Sequence, residues 1–218
     1  MDPNIDKNLV ASNFERAATS YDNYSYLAQE ISGRALSLLE VFKISPSLIL
    51  DIGCGTGKPT RVLAKRYRKA KIIYADIAVS MLEQARPRVG RWFSKDYFVC
   101  TDMERLAFPN NRFDLVFSNL VLEWCPNLTS ALSEAGRVLK TGGLFLFTTF
   151  GPNTLQELRA AFAKSSNNQH VNGFLDMHDI GDLLTRSGFE NPVMETDILT
   201  VEYQTVRGLL RDLKRTGS

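Results

Sequence analysis

The chain has 218 residues, 44% hydrophobic and 23% charged, which is typical of a globular protein and sufficient for one α/β domain with a large core. A net charge of +2 is too small to indicate nucleic acid as a general partner, and no apolar run approaches the roughly 20 residues of a membrane-spanning helix. The three cysteines are widely spaced without a metal-type pairing, and no signal-peptide pattern begins the chain. We therefore expect reduced thiols, no metal site, no membrane contact and a cytoplasmic location.

The first 45 residues are predicted to form a helical extension. Apolar residues from Leu9 to Ala18 recur at helical spacing in a segment that ends at Tyr21, and a second helix is predicted over 22–42. Beyond it, strands near 47–52, 71–76, 96–100, 113–118 and 143–149 alternate with helices near 58–69, 79–86, 127–139, 153–164 and 176–187. A sixth strand over 192–201 and a short helix over 206–213 follow. The alternation predicts an α/β fold, a mostly parallel sheet with helices on both faces, in which 1–45 and 46–218 form one structural unit.

A glycine-rich turn follows the first predicted strand. Asp51 stands at the carboxyl end of that strand, and Gly53, Gly55 and Gly57 allow a tight turn in which the backbone approaches a ligand closely. The turn opens onto the N-terminus of a helix, where backbone N–H groups point outward. Dinucleotide and nucleoside sites both use such a loop, so the loop alone leaves the ligand open.

Polar side chains at the ends of the next strands narrow the choice of ligand. Asp76 ends the second strand, beside Ile77, and is placed to receive the two hydroxyls of a ribose. At the third strand, Asp102 is placed to accept from an exocyclic amine while Met103 packs on a flat base. Asn119 lies at the mouth of the fourth strand, where the loop is open for an amino-acid tail. Together these features describe S-adenosylmethionine better than NAD.

Several motifs carry a family resemblance. LDIGCGTG, DIAVSML, TDMERLAF, FDLVFSNLVLEW and VLKTGGLFLF are similar to class I S-adenosylmethionine-dependent methyltransferases, which implies a Rossmann-like fold. Residues 13–22, 118–124, 148–162 and 170–172 resemble, more narrowly, the malonyl-[acyl-carrier protein] O-methyltransferases of biotin synthesis. That family continues with a further helical stretch and a final antiparallel strand. Either the sequence is a fragment or that strand is absent and one sheet edge is exposed or covered otherwise.

The resemblance implies methyl transfer from S-adenosylmethionine to the free carboxylate of a malonyl thioester, carried on acyl-carrier protein or on coenzyme A. It also implies that the N-terminal helices form a lid over the cofactor. A malonyl carboxylate is already ionised at pH 7, so the site needs alignment and exclusion of water rather than a general base. Two other interpretations stay open: a methyltransferase for another small acid or a quinone-like acceptor, and a cofactor-binding protein without turnover.

Three residues are candidates for the acceptor side. Arg159 is the first choice for a carboxylate clamp, because a guanidinium is planar and always charged; the alternative is a surface residue that pairs with Glu157. Tyr21 is expected to offer its hydroxyl to the same oxygens, or else only to pack at a helix end. His170 is a candidate for lining the substrate mouth, with an exposed loop position as the alternative. Trp124 is expected to form a hydrophobic wall.

Basic residues cluster in two stretches of the chain. They are Arg61, Lys65, Arg66, Arg68, Lys69 and Lys71, and then Arg86, Arg88, Arg91 and Lys95. They are typical either of a solvated helix face or of a docking surface for an acidic partner. The second interpretation favours acyl-carrier protein over coenzyme A as the carrier of the malonyl group.

Overall fold

The computed structural model describes residues 5–86, 96–164 and 172–217. Its sheet has five strands: β1 (Leu48–Ile52), β2 (Lys71–Asp76), β3 (Tyr97–Cys100), β4 (Phe113–Asn119) and β5 (Leu139–Thr148). The helices are α1 (Lys7–Ala17), α2 (Tyr21–Tyr24), α3 (Tyr26–Leu38), α4 (Lys58–Arg66), α5 (Val79–Ala85), α6 (Leu128–Val138), α7 (Gln156–Ala163), α8 (Met177–Arg186) and α9 (Val206–Arg215). A 3₁₀ turn spans Leu122–Trp124. The predicted α/β, Rossmann-like fold is confirmed.

The strands lie in the order β3-β2-β1-β4-β5, and every pair of neighbours is parallel. The chain therefore reverses direction across the sheet after β3, and the crevice at this switch point lies beyond the carboxyl ends of β1 and β4. All the polar strand ends singled out in the sequence lie at this one edge.

Successive residues of the central strands point to opposite faces of the sheet, and each face has its own core. Leu50 and Val116 pack with apolar residues of α6 and α8. Ile49 and Leu115 pack with apolar residues of α3, α4 and α5. Because both faces are buried, β1 is apolar except for Asp51, and β4 is apolar from Leu115 to Phe117, as is typical of a parallel sheet covered by helices.

Two predicted elements differ from the structure. The helix predicted over 22–42 is split at Ser25, which is buried and has φ −86° and ψ 30°, and its second part ends at Leu38. The strand predicted over 192–201 is wrong: these residues join no sheet in the described ranges, and Val193 and Ile198 are 88% and 81% exposed. Residues with strand propensity form a strand only when they pair with a neighbouring strand, and the propensity of this segment does not specify such a partner.

The N-terminal helices are attached to the sheet domain at three cofactor-side loops. Glu15 accepts from the backbone N–H groups of Val79 and Ser80 at 2.6 and 2.9 Å, at the start of α5. Asp22 accepts from the hydroxyl of Thr56 in the glycine loop. The third attachment is the ammonium of Lys7, which contacts the loop after β3. No helix within the described residues is long and apolar enough to cross a membrane.

Candidate functional site

A cavity of about 500 Å³ lies at the carboxyl ends of the strands, within the range of small-molecule sites. Its wall includes most of the residues predicted to bind a cofactor, namely Gly53, Gly55, Asp76, Ile77, Asp102, Met103 and Asn119. The N-terminal helices contribute Lys7, Phe14 and Tyr21, and α9 contributes Leu210, Leu213 and Lys214. The cavity is therefore enclosed by segments from both ends of the chain.

The glycine loop has the left-handed backbone that its glycines were predicted to provide. Gly53, Gly55 and Gly57 have φ of 69°, 53° and 77°. A Cβ on Gly53 would lie 2.1 Å from Cγ2 of Val121, whereas a Cβ on Gly55 would meet only a ring carbon of Tyr21 at 3.9 Å. Gly53 therefore permits close packing against the loop after β4, and Gly55 leaves its backbone open to the cavity.

Two predicted cofactor residues, Asp51 and Gly57, do not line this cavity. Asp51 is 1% exposed and accepts from the hydroxyl of Thr60 on α4. Burial raises the pKa of Asp51 to about 7, although the Thr60 hydrogen bond lowers it. A Cβ on Gly57 would lie 3.1 Å from atoms of both Tyr74 and Ala85. In the structure, Asp51 and Gly57 therefore pack against the sheet and α4 and α5, where they hold the glycine loop in place.

Asp76 connects the glycine loop to the end of β2. Its Oδ2 accepts from the N–H of Gly55 at 2.8 Å and its Oδ1 from the N–H of Ala78 at 2.9 Å. Burial raises the pKa of Asp76 to about 6, while these backbone hydrogen bonds lower it. The carboxyl group is therefore mostly ionised at pH 7, and its remaining lone pairs can accept from ligand hydroxyls.

Asp102 carries an ion pair that the sequence did not indicate. Lys7 donates to Oδ1 and Oδ2 of Asp102 at 2.7 and 2.6 Å, and it also lies 2.6 Å from Oε2 of Glu104. The pair joins residues 95 positions apart, so no local pattern could have revealed it. An exocyclic amine at Asp102 would have to share the carboxylate with Lys7, and this role of Asp102 stays a prediction.

Asn119 and Tyr21 lie on the wall near the centre of the sheet. The Asn119 amide donates to the carbonyl of Ala28 at 3.2 Å and accepts from Oγ1 of Thr148 at 2.8 Å, so it links α3 to β5. Burial raises the pKa of Tyr21, and the nearby carboxylate of Asp76 raises it further. Its phenol is therefore neutral and can serve as a hydrogen-bond donor.

Glu123 is a cavity residue that the sequence interpretation missed. Its side chain is 3% exposed, and among the other described residues it accepts one hydrogen bond, from Oγ1 of Thr149 to Oε2 at 3.4 Å. The sequence feature that could have identified Glu123 is that it is a charged residue within an otherwise apolar stretch, between Leu122 and Trp124. Trp124 itself forms an apolar wall as predicted, with its ring edge-on to Phe14 at 5.6 Å.

Comparison with known proteins identifies the family. A family model described as "Methyltransferase domain" matches residues 50–147. A malonyl-[acyl-carrier protein] O-methyltransferase of Gallionella capsiferriformans is 44% identical over 98% of this chain and 76% of its own length. One of Methylovorus sp. is 44% identical over 98% of this chain and 74% of its own length. The chain belongs to the malonyl-[acyl-carrier protein] O-methyltransferase family. The resemblance drawn from the sequence motifs is confirmed.

Solved structures agree on the fold. A putative methyltransferase in complex with the Haloferax volcanii Trm112 methyltransferase activator superimposes with a TM-score of 0.68 at 16% identity, covering 94% of this chain and 93% of that one. A Haemonchus contortus phosphoethanolamine N-methyltransferase solved with S-adenosyl-L-methionine has a TM-score of 0.61 at 23% identity, covering 84% and 42%. Both are similar to this chain in fold.

The residues present fit S-adenosylmethionine, the cofactor of this methyltransferase family and the one that the sequence predicted. Asp76 offers a buried, ionised acceptor for ribose hydroxyls, and Met103 and Ile77 offer apolar walls for a base. The open backbone at Gly55 and the amide of Asn119 lie toward the middle of the sheet, where the amino-acid tail would lie. The remaining wall, at β4 and β5, is left for the methyl acceptor.

The predicted carboxylate clamp does not line the cavity in this structure. The Arg159 guanidinium donates to the carbonyls of Pro152 at 2.9 Å and of Thr154 and Asn172 at 3.3 Å. It contacts neither Glu157 nor another acid among the described residues, so it braces the segments that carry Thr154 and Asn172 to the cavity wall. Its role as a clamp stays a prediction. His170 lies outside the described residues, and its role stays a prediction as well.

Proposed function

We propose that this protein transfers the methyl group of S-adenosylmethionine to the free carboxylate of a malonyl group carried on acyl-carrier protein. The observation that carries the proposal is the undivided cavity, which reaches from the cofactor residue Asp76 to acceptor-side residues after β4 and β5. The extent of the match to named relatives, 98% of this chain, supports the same substrate. The product is the methyl ester expected from the sequence, whose masked charge suits it to the chain-extending enzymes of biotin synthesis.

Methyl transfer to an ionised carboxylate does not require acid–base catalysis by the protein. When bound, S-adenosylmethionine supplies a methyl group activated by a sulfonium centre. Transfer of that methyl group to an ionised carboxylate oxygen, with the electron pair of the broken bond left on sulfur, would release no proton, so the residues of the site need only hold and orient the acceptor. The side chains of Phe14, Trp124 and Phe150 exclude water from this part of the cavity, which strengthens every polar contact made there.

We propose for Tyr21 and Arg159 the roles predicted from the sequence, although only Tyr21 lines the cavity in this conformation. Tyr21 lines the cavity between the cofactor and acceptor ends, where its neutral hydroxyl can donate to an acceptor carboxylate. Arg159 would first have to release backbone carbonyls, so in this conformation it orders the acceptor wall. The segment 1–45 is proposed to act as the lid, since its described helices line one side of the cavity and contact three cofactor-side loops.

The carrier is proposed to dock at α9, which brings positive charge to the mouth of the cavity. Its exposed cations are Arg207, Arg211, Lys214 and Arg215. Lys214 also lines the cavity, and Arg211 and Arg215 stack over the ring of Tyr24 at 5.9 Å, which holds α9 against α2. None of the described cations of the 61–71 cluster lines this cavity, and Arg88, Arg91 and Lys95 lie outside the described residues. An acidic protein is attracted to such a surface in a salt-dependent way.

The test is transfer of radiolabelled methyl to malonyl-acyl-carrier protein and to malonyl-CoA, measured at low and at high salt. Replacing Arg207 and Arg211 together by Gln should raise KM for the malonyl carrier protein about tenfold at low salt, with a smaller change for malonyl-CoA. The matched control replaces Arg68 and Lys69 by Gln. Absence of transfer to either substrate would refute the activity, and an equal rise of KM in the control would refute docking at α9.

A further inference from the structure

Glu123 has an unusual environment for an acidic side chain. Within the described ranges, atom Oε1 is buried and has no hydrogen-bond partner, and the only other side chain that donates a hydrogen bond to Oε2 is Thr149, at 3.4 Å. No lysine or arginine of the described residues forms an ion pair with it. A buried carboxyl group without a counter-charge is strongly disfavoured unless it is neutral or gains a partner. Glu123 therefore lacks the partner that a structural role would provide.

The position of Glu123 places it at the acceptor end of the cavity. The polar residues at the carboxyl edge are arranged in the strand order of the sheet. Asp102 lies after β3 and Asp76 ends β2; Gly53 lies after β1 and Asn119 ends β4. Glu123 and Thr149 come next, after β4 and β5. With the base and ribose at β3 and β2 and the amino-acid tail at β1 and β4, the next ligand along this edge is the methyl acceptor.

Among Glu123 and its titratable neighbours Tyr21, Cys125 and Asp76, Glu123 is the group whose charge changes at about pH 8. Burial raises the pKa of Glu123 to about 8, whereas hydrogen bonds from its own backbone N–H and from Thr149 lower it. Burial also raises the pKa values of Tyr21 and Cys125 above the ordinary values of 10.0 and 9.0, so both stay neutral at pH 8. Asp76, whose pKa is about 6, is already ionised there.

We propose that Glu123 acts as a neutral carboxylic acid that donates a hydrogen bond to the non-attacking oxygen of the acceptor carboxylate, and so selects acceptors that have a free carboxylate. This rests on the proposed function. The hydroxyl of Thr149 is directed to Oε2, which leaves Oε1 to carry the proton; because Oε1 is buried in this conformation, the carboxyl group has to turn toward the acceptor as the acceptor binds. The proton stays on Glu123 throughout, because methyl transfer itself moves none. In its ionised form, Glu123 would repel the acceptor, since two carboxylates at hydrogen-bond distance cannot both be charged without a large free-energy cost.

The experiment compares kcat/KM against pH, from 6.5 to 9.5, for the full chain and two variants. The wild type should lose activity about tenfold per pH unit above pH 8, because kcat/KM reports the ionisation of the free enzyme. Glu123→Gln keeps a donor that cannot ionise, so it should lose up to about threefold at pH 7 and show no fall near pH 8. Glu123→Ala should raise KM at least about tenfold, a typical loss for a charged hydrogen bond.

A binding measurement separates this proposal from the proposed function. Malonyl-pantetheine is titrated into the S-adenosylhomocysteine complex at pH 8.5, in two buffers with different heats of ionisation. The wild type should take up as much as about one proton on binding, and Glu123→Gln none, whether or not the protein turns over any thioester. An alkaline fall that persists in Glu123→Gln, equal damage by Gln and Ala, or acceptor binding without proton uptake would overturn the proposal. Unchanged affinity for S-adenosylmethionine in all variants shows that the fold is intact.

Discussion

Replacing Glu123 by Gln should stabilise the protein at alkaline pH in the absence of ligands. In the folded state the pKa is about 8, above the ordinary glutamate value of 4.5, so the folded protein binds more protons than the unfolded chain between these two pH values. The free energy of unfolding contributed by Glu123 is therefore fully present below pH 4.5 and is lost as the pH rises to about 8. At about 1.4 kcal/mol per pH unit, the loss is up to about 5 kcal/mol.

Gln has nearly the same shape and does not ionise, so the variant lacks this loss. The difference in unfolding free energy, Gln minus wild type, should grow from near zero at pH 5 to between about 2 and 5 kcal/mol at pH 9. Urea denaturation of both proteins at each pH unit measures it, and Glu190→Gln, at an exposed position, controls for the loss of one negative charge. Asp51 and Asp76 change stability in the same direction, but they are common to both proteins and cancel. A difference that is constant with pH, or that shrinks as pH rises, would refute the reasoning.

Three further predictions concern the cofactor end of the cavity. Gly53→Ala should lower the unfolding free energy by about 1–3 kcal/mol more than Gly55→Ala in urea denaturation, because both share a positive φ but only the first collides with the loop after β4. Asp76→Ala should weaken S-adenosylmethionine binding at least about 100-fold by calorimetry, whereas Arg159→Ala should spare binding and remove methyl transfer; equal losses of affinity would contradict the assignment. Lys7→Met should speed cofactor dissociation about fivefold in stopped-flow measurements, and an unchanged rate would show that its ion pair does not hold the lid.

Much of the fold and of the cofactor end could be predicted because the signals are local. A buried strand, a glycine turn and a helix start adjoin one another in sequence around Gly53, and Asp76 directly ends its strand. The alternation of strands and helices then predicted a parallel sheet, whose strand order the structure gives. The segment over 192–201 shows the limit of this reasoning, because a strand depends on a pairing edge that its own residues do not specify.

The acceptor end was harder to predict because it depends on contacts between distant parts of the chain. Nothing near Lys214 in the sequence shows that α9 lines the cavity, just as, at the cofactor end, nothing near Lys7 points to Asp102. Arg159 was chosen for its chemistry, which suits a carboxylate, but its guanidinium geometry equally suits three backbone carbonyls. The choice between these partners depends on the loop conformation, which a motif does not encode.

The three attachments of the N-terminal helices also bear on how ligands enter and leave. The apolar contact of these helices with α5 is a small cluster, in which Ala17 and Ala18 pack with Ala78 and Met81, far smaller than either core of the sheet. Local opening of α1 therefore requires much less free energy than global unfolding, and amide hydrogens of α1 should exchange with solvent well before those of β1 and β4. Since α3 packs in one core of the sheet, we expect opening of α1 to set the rate at which spent cofactor is replaced, while the sheet keeps its geometry.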